Sequence, residues 1–186
     1  MDALDASPLC LDCGLCCNGA IHHYGVLKEN EVEAAERLGL AVERTRDYLG
    51  FAQPCTKHDG NQCTIYELRP STCVNYYCGL ASRYRKGEIP LRDALQVVAE
   101  ARRLYQSVAA ALPTSWTFRD LRLKLRRRMT GDAAGDLRPE ERETLKDPFL
   151  KAMLLDVFLD RNFRLTREVV FGDKLAKTAT EQDNGN

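Results

Sequence analysis

The sequence predicts a mainly α-helical chain, with a small α+β arrangement as the alternative. A cysteine-ligated metal module in the N-terminal half packs on a helical C-terminal half. Two observations carry this expectation. All eight cysteines and all three histidines fall within residues 1–86, and residues 88–172 contain neither. The later half instead repeats apolar residues at helical spacing, most clearly at Leu91, Ala94, Leu95, Val98, Ala101, Leu104, Tyr105, Val108 and Leu112. The expected division is a cysteine module over 1–87, a helical region over 88–172 belonging to the same folding unit, and a flexible polar tail over 173–186.

The first cysteine run passes through Asn18-Gly19 into Ile21-His22-His23-Tyr24, which reads as a short strand. Asn30 with Glu33 three residues on resembles a capping box, so a helix is expected to about Leu38, stopped by Gly39. Thr45 to Phe51 reads as turn and extended chain. Asp59-Gly60-Asn61 marks a turn between Pro54-Cys55 and Cys63-Thr64-Ile65-Tyr66. Pro70 suits the first turn of a helix that would carry both Cys73 and Cys78 and end near Gly87. After Pro90 comes the long periodic helix, ended by Pro113. Thr114 or Ser115 would cap the next helix, which places Phe118, Leu121, Leu125 and Met129 on one face and stops at Gly131. Residues 132–136 read as a linker. Pro139 starts another helix, which Pro148 kinks or restarts before Phe149 to Leu159. Phe163 to Phe171 reads as a weak strand.

Composition narrows the function classes. Hydrophobic residues make up 44% of the chain, enough for a packed core. The 27 basic and 27 acidic residues cancel, so net charge offers no reason to expect nucleic acid or an acidic membrane as partner. No apolar run would span a bilayer, and the acidic start Met1-Asp2-Ala3-Leu4-Asp5 has no secretory h-region. The expected location is therefore the cytoplasm. In a reducing cytosol a dense cysteine pattern favours metal over a disulfide framework. Redox thiols and buried packing thiols are the competing readings, and packing explains isolated cysteines better than a crowded run.

The chemistry centres on Cys10, Cys13, Cys16 and Cys17, in the run C-L-D-C-G-L-C-C. A C-x-x-C step turns two sulfurs toward one point, where an ion or an iron–sulfur cluster can take both. Adjacent residues point apart in extended chain and sit about 100° apart in a helix. Cys16 and Cys17 therefore serve two metals, or one ligates while the other packs, or a polynuclear cluster uses both. Cys55, Cys63, Cys73 and Cys78 form a second group, separated by seven, nine and four residues. These spacings match neither a zinc ribbon nor a bacterial ferredoxin run. Thiolates need compensating donors or cations, and Gly14, Gly19, Arg69, Arg83, Arg85 and Lys86 are candidates.

The ordered set Cys10-x2-Cys13-x2-Cys16-Cys17, Pro54-Cys55, Gly60-Asn61-Gln62-Cys63-Thr64-Ile65-Tyr66, then Arg69-Pro70 with Cys73 and Cys78 resembles the YkgJ-type cysteine-cluster family. That family is described as a zinc- or iron-chelating domain named for its CxxCxxCC motif. The likeness covers about the first half of the chain. It implies that all eight cysteines, Cys10, Cys13, Cys16, Cys17, Cys55, Cys63, Cys73 and Cys78, are metal-ligand candidates. It also implies that the cofactor is an iron–sulfur cluster or a zinc or iron ion. Some larger members, flagellin lysine N-methylases, carry a similar block associated with an iron–sulfur cluster. This chain resembles only that block and has no glycine-rich S-adenosylmethionine site.

The remaining features are weighed against plain structural roles. His22, His23 and His58 are expected to be solvent-facing or hydrogen-bonded rather than ligands. Arg119, Arg122, Lys124, Arg126, Arg127 and Arg128 form a basic stripe, read first as a solvated helix face and second as a nucleic-acid contact. Trp116 reads as core, and Tyr76-Tyr77 as a shield for the metal site. No triad, P-loop or Rossmann signal is present. The expected function is metal binding in a structural or electron-transfer role, with a protein partner possible. A metal-dependent enzyme acting on a macromolecule and an adaptor using the basic helix over 115–130 are the alternatives, and whether the chain is an enzyme is left open.

Overall fold

A computed structural model describes residues 3–46, 48–60, 62–129 and 137–165; within it the side chains of Arg126, Arg128 and Met129 are not described. The chain opens with α1 (Ser7–Cys13) and β1 (Tyr24–Val26), followed by a 3-10 turn and α2 (Val32–Arg37). A hairpin of β2 (Val42–Arg44) and β3 (Leu49–Ala52) leads to a loop carrying Cys55 and Cys63. Then come α3 (Ser71–Asn75), α4 (Gly79–Arg85), α5 (Leu91–Ala111), α6 (Phe118–Met129) and α7 (Pro139–Asn162). The fold is mainly helical with one small sheet, as the periodicity predicts.

The sheet is antiparallel with β3 in the centre. Tyr24 pairs with Ala52 and Val26 with Gly50 on one side, and Val42 pairs with Phe51 and Arg44 with Leu49 on the other. Gly25 lies opposite Phe51, and a Cβ there would come within 2.3 Å of the Phe51 ring. The missing side chain leaves room for that ring, and Phe51 joins Leu27, Ala35 and Leu40 in a small second core.

The main core draws on both halves of the chain. Leu9, Leu15, Ala20, Ile21 and Leu80 pack with Val98, Ala101, Val108, Leu121, Leu155, Leu159 and Phe163. In α5 the buried stripe is Ala94, Val98, Ala101 and Val108, spaced for one helix face. Alanines at two of these positions let α5 approach α1 and α7, its main packing neighbours.

Several local expectations shift. β1 begins at Tyr24, where the expected strand ends, because Ile21 is buried in the main core. The capping box near Asn30 lies two residues earlier: Glu31 accepts the Lys28 N–H at 2.9 Å and the Ser71 N–H at 2.8 Å, tying α2 to the start of α3. The cap of α6 is Thr117, not Thr114 or Ser115. Its hydroxyl accepts the Asp120 N–H while Asp120 accepts the Thr117 N–H, a reciprocal box. α7 runs on through Pro148 without restarting, the proline lying buried on its core face. Phe163 closes α7 and is fully buried, and Arg164 and Leu165 are not in a strand. Gly131, the linker over 132–136, residues 166–171 of the expected strand and the tail over 173–186 lie outside the described residues.

The largest correction concerns the helix expected to hold both Cys73 and Cys78. The chain breaks at Tyr76, which is extended, and α4 starts anew with Cys78 as its N-cap. The Gly79 N–H bonds the Phe163 carbonyl at 2.7 Å, so the start of α4 is anchored to the end of α7. One continuous helix could not both follow Pro70 and bring Cys78 to this anchor.

Candidate metal centre

Helix α1 carries Cys10 and Cys13 one turn apart, so both sulfurs leave the same face. Gly14 ends the helix with φ 62°, a left-handed conformation that turns the chain back. Asn18 N–H then bonds the Gly14 carbonyl, and Gly19 N–H the Cys16 carbonyl, giving a compact loop that holds Cys16 and Cys17. Leu15, between the thiols, is fully buried and pins the loop to the main core.

The second group arrives from the other side. The Cys55 N–H bonds the Cys17 carbonyl at 2.7 Å, so the two motifs touch through their backbones. Across the Asp59-Gly60 turn, His58 and Cys63 form an isolated antiparallel bridge. Cys73 lies on α3, its N–H bonded to the Pro70 carbonyl. Cys78 caps α4 through its sulfur, which accepts the Ala81 N–H at 3.4 Å.

All eight cysteines, Cys10, Cys13, Cys16, Cys17, Cys55, Cys63, Cys73 and Cys78, line one cavity of about 520 Å³. All are free thiols and all are only partly exposed. Among the described residues, no three His, Cys, Asp or Glu side chains stand gathered at a single-ion point. The thiols instead stand around the cavity wall.

The same wall holds unsatisfied polar atoms. His22 Nε2, His58 Nε2, Gln53 Oε1 and Arg69 Nε are buried without a hydrogen-bond partner, and all four residues line the cavity. Buried polar groups are normally paired, so orphans converging on a thiol-lined space fit a bound inorganic group. The expectation that His22 and His58 face solvent is corrected here. His22 packs edge-on against Tyr76 at 4.6 Å between ring centroids. His58 sits so close to Gly14 that a Cβ there would meet its Nε2 at 2.6 Å. His23 also lines the cavity. Gln53 was not singled out in the sequence, and nothing in its local pattern would do so; its position follows from β3.

The electrostatics describe a site built for a charged guest. Burial pushes the Cys10 thiol up to about 11, with Cys78 adding to the shift. Burial likewise pushes Cys13, Cys17 and Cys73 up to about 12, and raises Cys16, Cys55 and Cys78. Without a metal these groups stay protonated, and a metal must offset the cost of ionising them. Burial lowers the pKa of His22 and His58, with Arg164 and Arg122 acting on the first and Arg102 on the second, so both rings are neutral near pH 7. Arg69 lies over the Tyr66 ring at 3.4 Å, and its charge opposes the upward shifts of both Cys10 and Cys73. Of the expected counter-charges, Arg69 is on the cavity wall; Arg85 instead stacks on Tyr77, and Lys86 reaches Glu88 at 3.9 Å. Gly14 and Gly19 N–H groups bond carbonyls, whereas Lys57 N–H donates to the Cys55 sulfur and Ala81 N–H to the Cys78 sulfur.

The helical half holds this loop by its carbonyls, a role that sequence reading missed. Arg102 on α5 donates to Asp12 O at 2.8 Å, and the Tyr105 hydroxyl donates to Asn18 O at 3.4 Å. Arg122 on α6 donates to Gly19 O at 3.0 Å and Ala20 O at 2.7 Å, and Arg164 donates to Ala20 O at 3.3 Å. Part of the supposed basic stripe therefore faces inward, with Arg119 also reaching Glu43 at 3.9 Å. The signal was present as arginines beside buried positions on α6, but charge alone does not tell inward from outward.

Residues 9–88 match the family model described as "CxxCxxCC: Putative zinc- or iron-chelating domain". No curated protein and no solved structure matches the chain. Among the described residues, no helix is long and apolar enough to cross a membrane.

Proposed function

We propose that this chain, whose residues 9–88 match the CxxCxxCC family model, is an iron–sulfur protein that transfers electrons. The observation that carries the reading is one cavity of about 520 Å³ walled by eight cysteines. A single zinc ion takes four ligands in direct contact and leaves no such room, whereas iron–sulfur clusters are held by cysteine thiolates around an inorganic core. When bound, a cluster supplies reversible one-electron chemistry. The eight thiols would hold cluster iron, while N–H groups donate to sulfur at Cys55 and Cys78 and the Arg69 charge stands beside the ligands.

A structural role is the second reading. The cavity lies between the main core, against which Cys10, Cys13, Cys16 and Cys78 pack, and the small core, against which Cys55 and Cys73 pack. Metal there would fasten the two cores together, and residues 1–87 and 88–172 are read as one folding unit because both contribute to the main core. Nucleic-acid binding ranks lower, since Arg119 and Arg122 already serve internal contacts. Eight unpaired thiols suit a reducing compartment, and the cytoplasm is the proposed location.

The test is anaerobic purification followed by iron, zinc and acid-labile sulfide analysis and a redox titration. Iron with sulfide and a reversible potential supports electron transfer. Iron with sulfide but no accessible potential supports the structural role. Colourless, zinc-loaded protein refutes the iron–sulfur reading.

A further inference from the structure

We propose that the eight cysteines form two separate four-sulfur ligand sets, one of Cys10, Cys13, Cys16 and Cys78 and the other of Cys17, Cys55, Cys63 and Cys73, so that the adjacent pair Cys16-Cys17 is divided between two metal centres. This deepens the metal-binding reading and rests on it.

Packing separates the sets first. Cys10, Cys13, Cys16 and Cys78 all lie against the main helical core, while Cys55 and Cys73 lie against the small core beneath the sheet. The backbone then assigns Cys17 and Cys63. The Cys17 carbonyl takes the Cys55 N–H at 2.7 Å, which joins Cys17 to the second set. Cys63 is paired with His58, whose own N–H bonds the Cys55 carbonyl at 3.1 Å. The break at Tyr76 completes the division. It leaves Cys73 on α3 and turns Cys78 onto α4, whose Leu80 and Ala81 are buried in the main core.

Four thiolates are a complete ligand set for a four-iron cluster, whose inorganic core spans more room than a single ion. Sequence proximity would have grouped Cys10, Cys13, Cys16 and Cys17 together. The fold exchanges Cys17 for Cys78, since adjacent side chains diverge and cannot both reach one small centre. Along the chain the span from Cys16 to Cys78 encloses all four cysteines of the second set, so both centres depend on the same fold.

The test uses the full chain purified anaerobically, with metal per chain from elemental analysis and the number of bound centres from native mass spectrometry. The wild type is expected to hold two centres. Cys16→Ser and Cys78→Ser should each lose half the metal and leave the same residual absorption spectrum. Cys17→Ser and Cys73→Ser should also lose half, leaving the complementary spectrum. The double variant C16S/C78S should lose no more than either single, whereas C16S/C17S should lose both centres. Pairing of Cys17→Ser with Cys16→Ser rather than with Cys73→Ser would overturn the assignment. If the variants do not fold, the wild-type count alone decides: one centre per chain overturns the proposal while leaving metal binding intact. A wild type without metal instead removes the metal-binding reading itself.

Discussion

Replacing Arg122 by methionine should loosen the cysteine loop from a distance, and the structure sets the scale. Methionine keeps the apolar stem but removes the guanidinium, which donates to Gly19 O at 3.0 Å and to Ala20 O at 2.7 Å. Hydrogen bonds to charged groups contribute about 1.5–3 kcal/mol each. Ala20 O keeps a weaker donor, Arg164 at 3.3 Å, so the Gly19 carbonyl suffers the larger loss. The expected cost is about 2–4 kcal/mol, below the sum for two full bonds because one acceptor is still served. Gly19 closes the turn that carries Cys16 and Cys17, so metal content should fall as well. Urea unfolding of the anaerobically purified protein, with metal analysis on the same preparation, measures both effects. Arg37→Met is the control: its exposed pair with Glu33 predicts a change within about 0.5 kcal/mol. An Arg122→Met variant as stable as Arg37→Met, with full metal content, would refute the idea that the helical half holds the loop through its carbonyls.

Gly14→Ala should destabilise by more than the roughly 1–2 kcal/mol of left-handed strain, because its Cβ would also meet His58 Nε2 at 2.6 Å; thermal melting measures it, and an unchanged midpoint would contradict the geometry. Metal-free protein should be most stable between about pH 6.5 and pH 9. Below 6.5 the unfolded histidines take up protons that folded His22 and His58 resist, so stability falls as pH drops through their depressed values. Above 9 the unfolded thiols ionise while Cys10 stays protonated to about 11 and Cys13 to about 12, so stability falls as pH rises toward those values; urea midpoints across pH should trace this dome. Arg69→Gln removes a positive charge beside Cys10 and Cys73 and should make the reduction potential more negative, read by redox titration; an unchanged or more positive potential would separate Arg69 from the centre.

The chemical class of the site was legible because it depends on residue type and local spacing. Cysteines at C-x2-C-x2-C-C offer several sulfurs within two turns of chain whatever the fold, and α1 delivers Cys10 and Cys13 to one face as helical geometry requires. The helix α5 was legible for a similar reason, since its buried residues recur within a single element. Boundaries were less so. Thr117 rather than Thr114 caps α6 because Asp120 is placed to reciprocate, a competition between nearby polar residues that pattern alone does not rank. Pro148 was expected to kink or restart α7; the helix does not restart, because the ring is buried on the core face of a helix packed against α5 and tertiary packing outweighs the lost N–H.

By itself, then, the sequence determined a cysteine-rich, mainly helical protein and named all eight thiols as ligand candidates. Only the tertiary structure decided that they share one cavity, that Cys78 belongs with α4 instead of α3, and that His22, His58, Gln53 and Arg69 face the same space. It also decided the use of Arg122, whose charge reads as a solvent face in sequence and bonds the cysteine loop in the fold. The reason is physical. Ligand chemistry is carried by single side chains and their immediate spacing, whereas a cavity wall is assembled from segments up to about 150 residues apart, brought together by burial of the core between them.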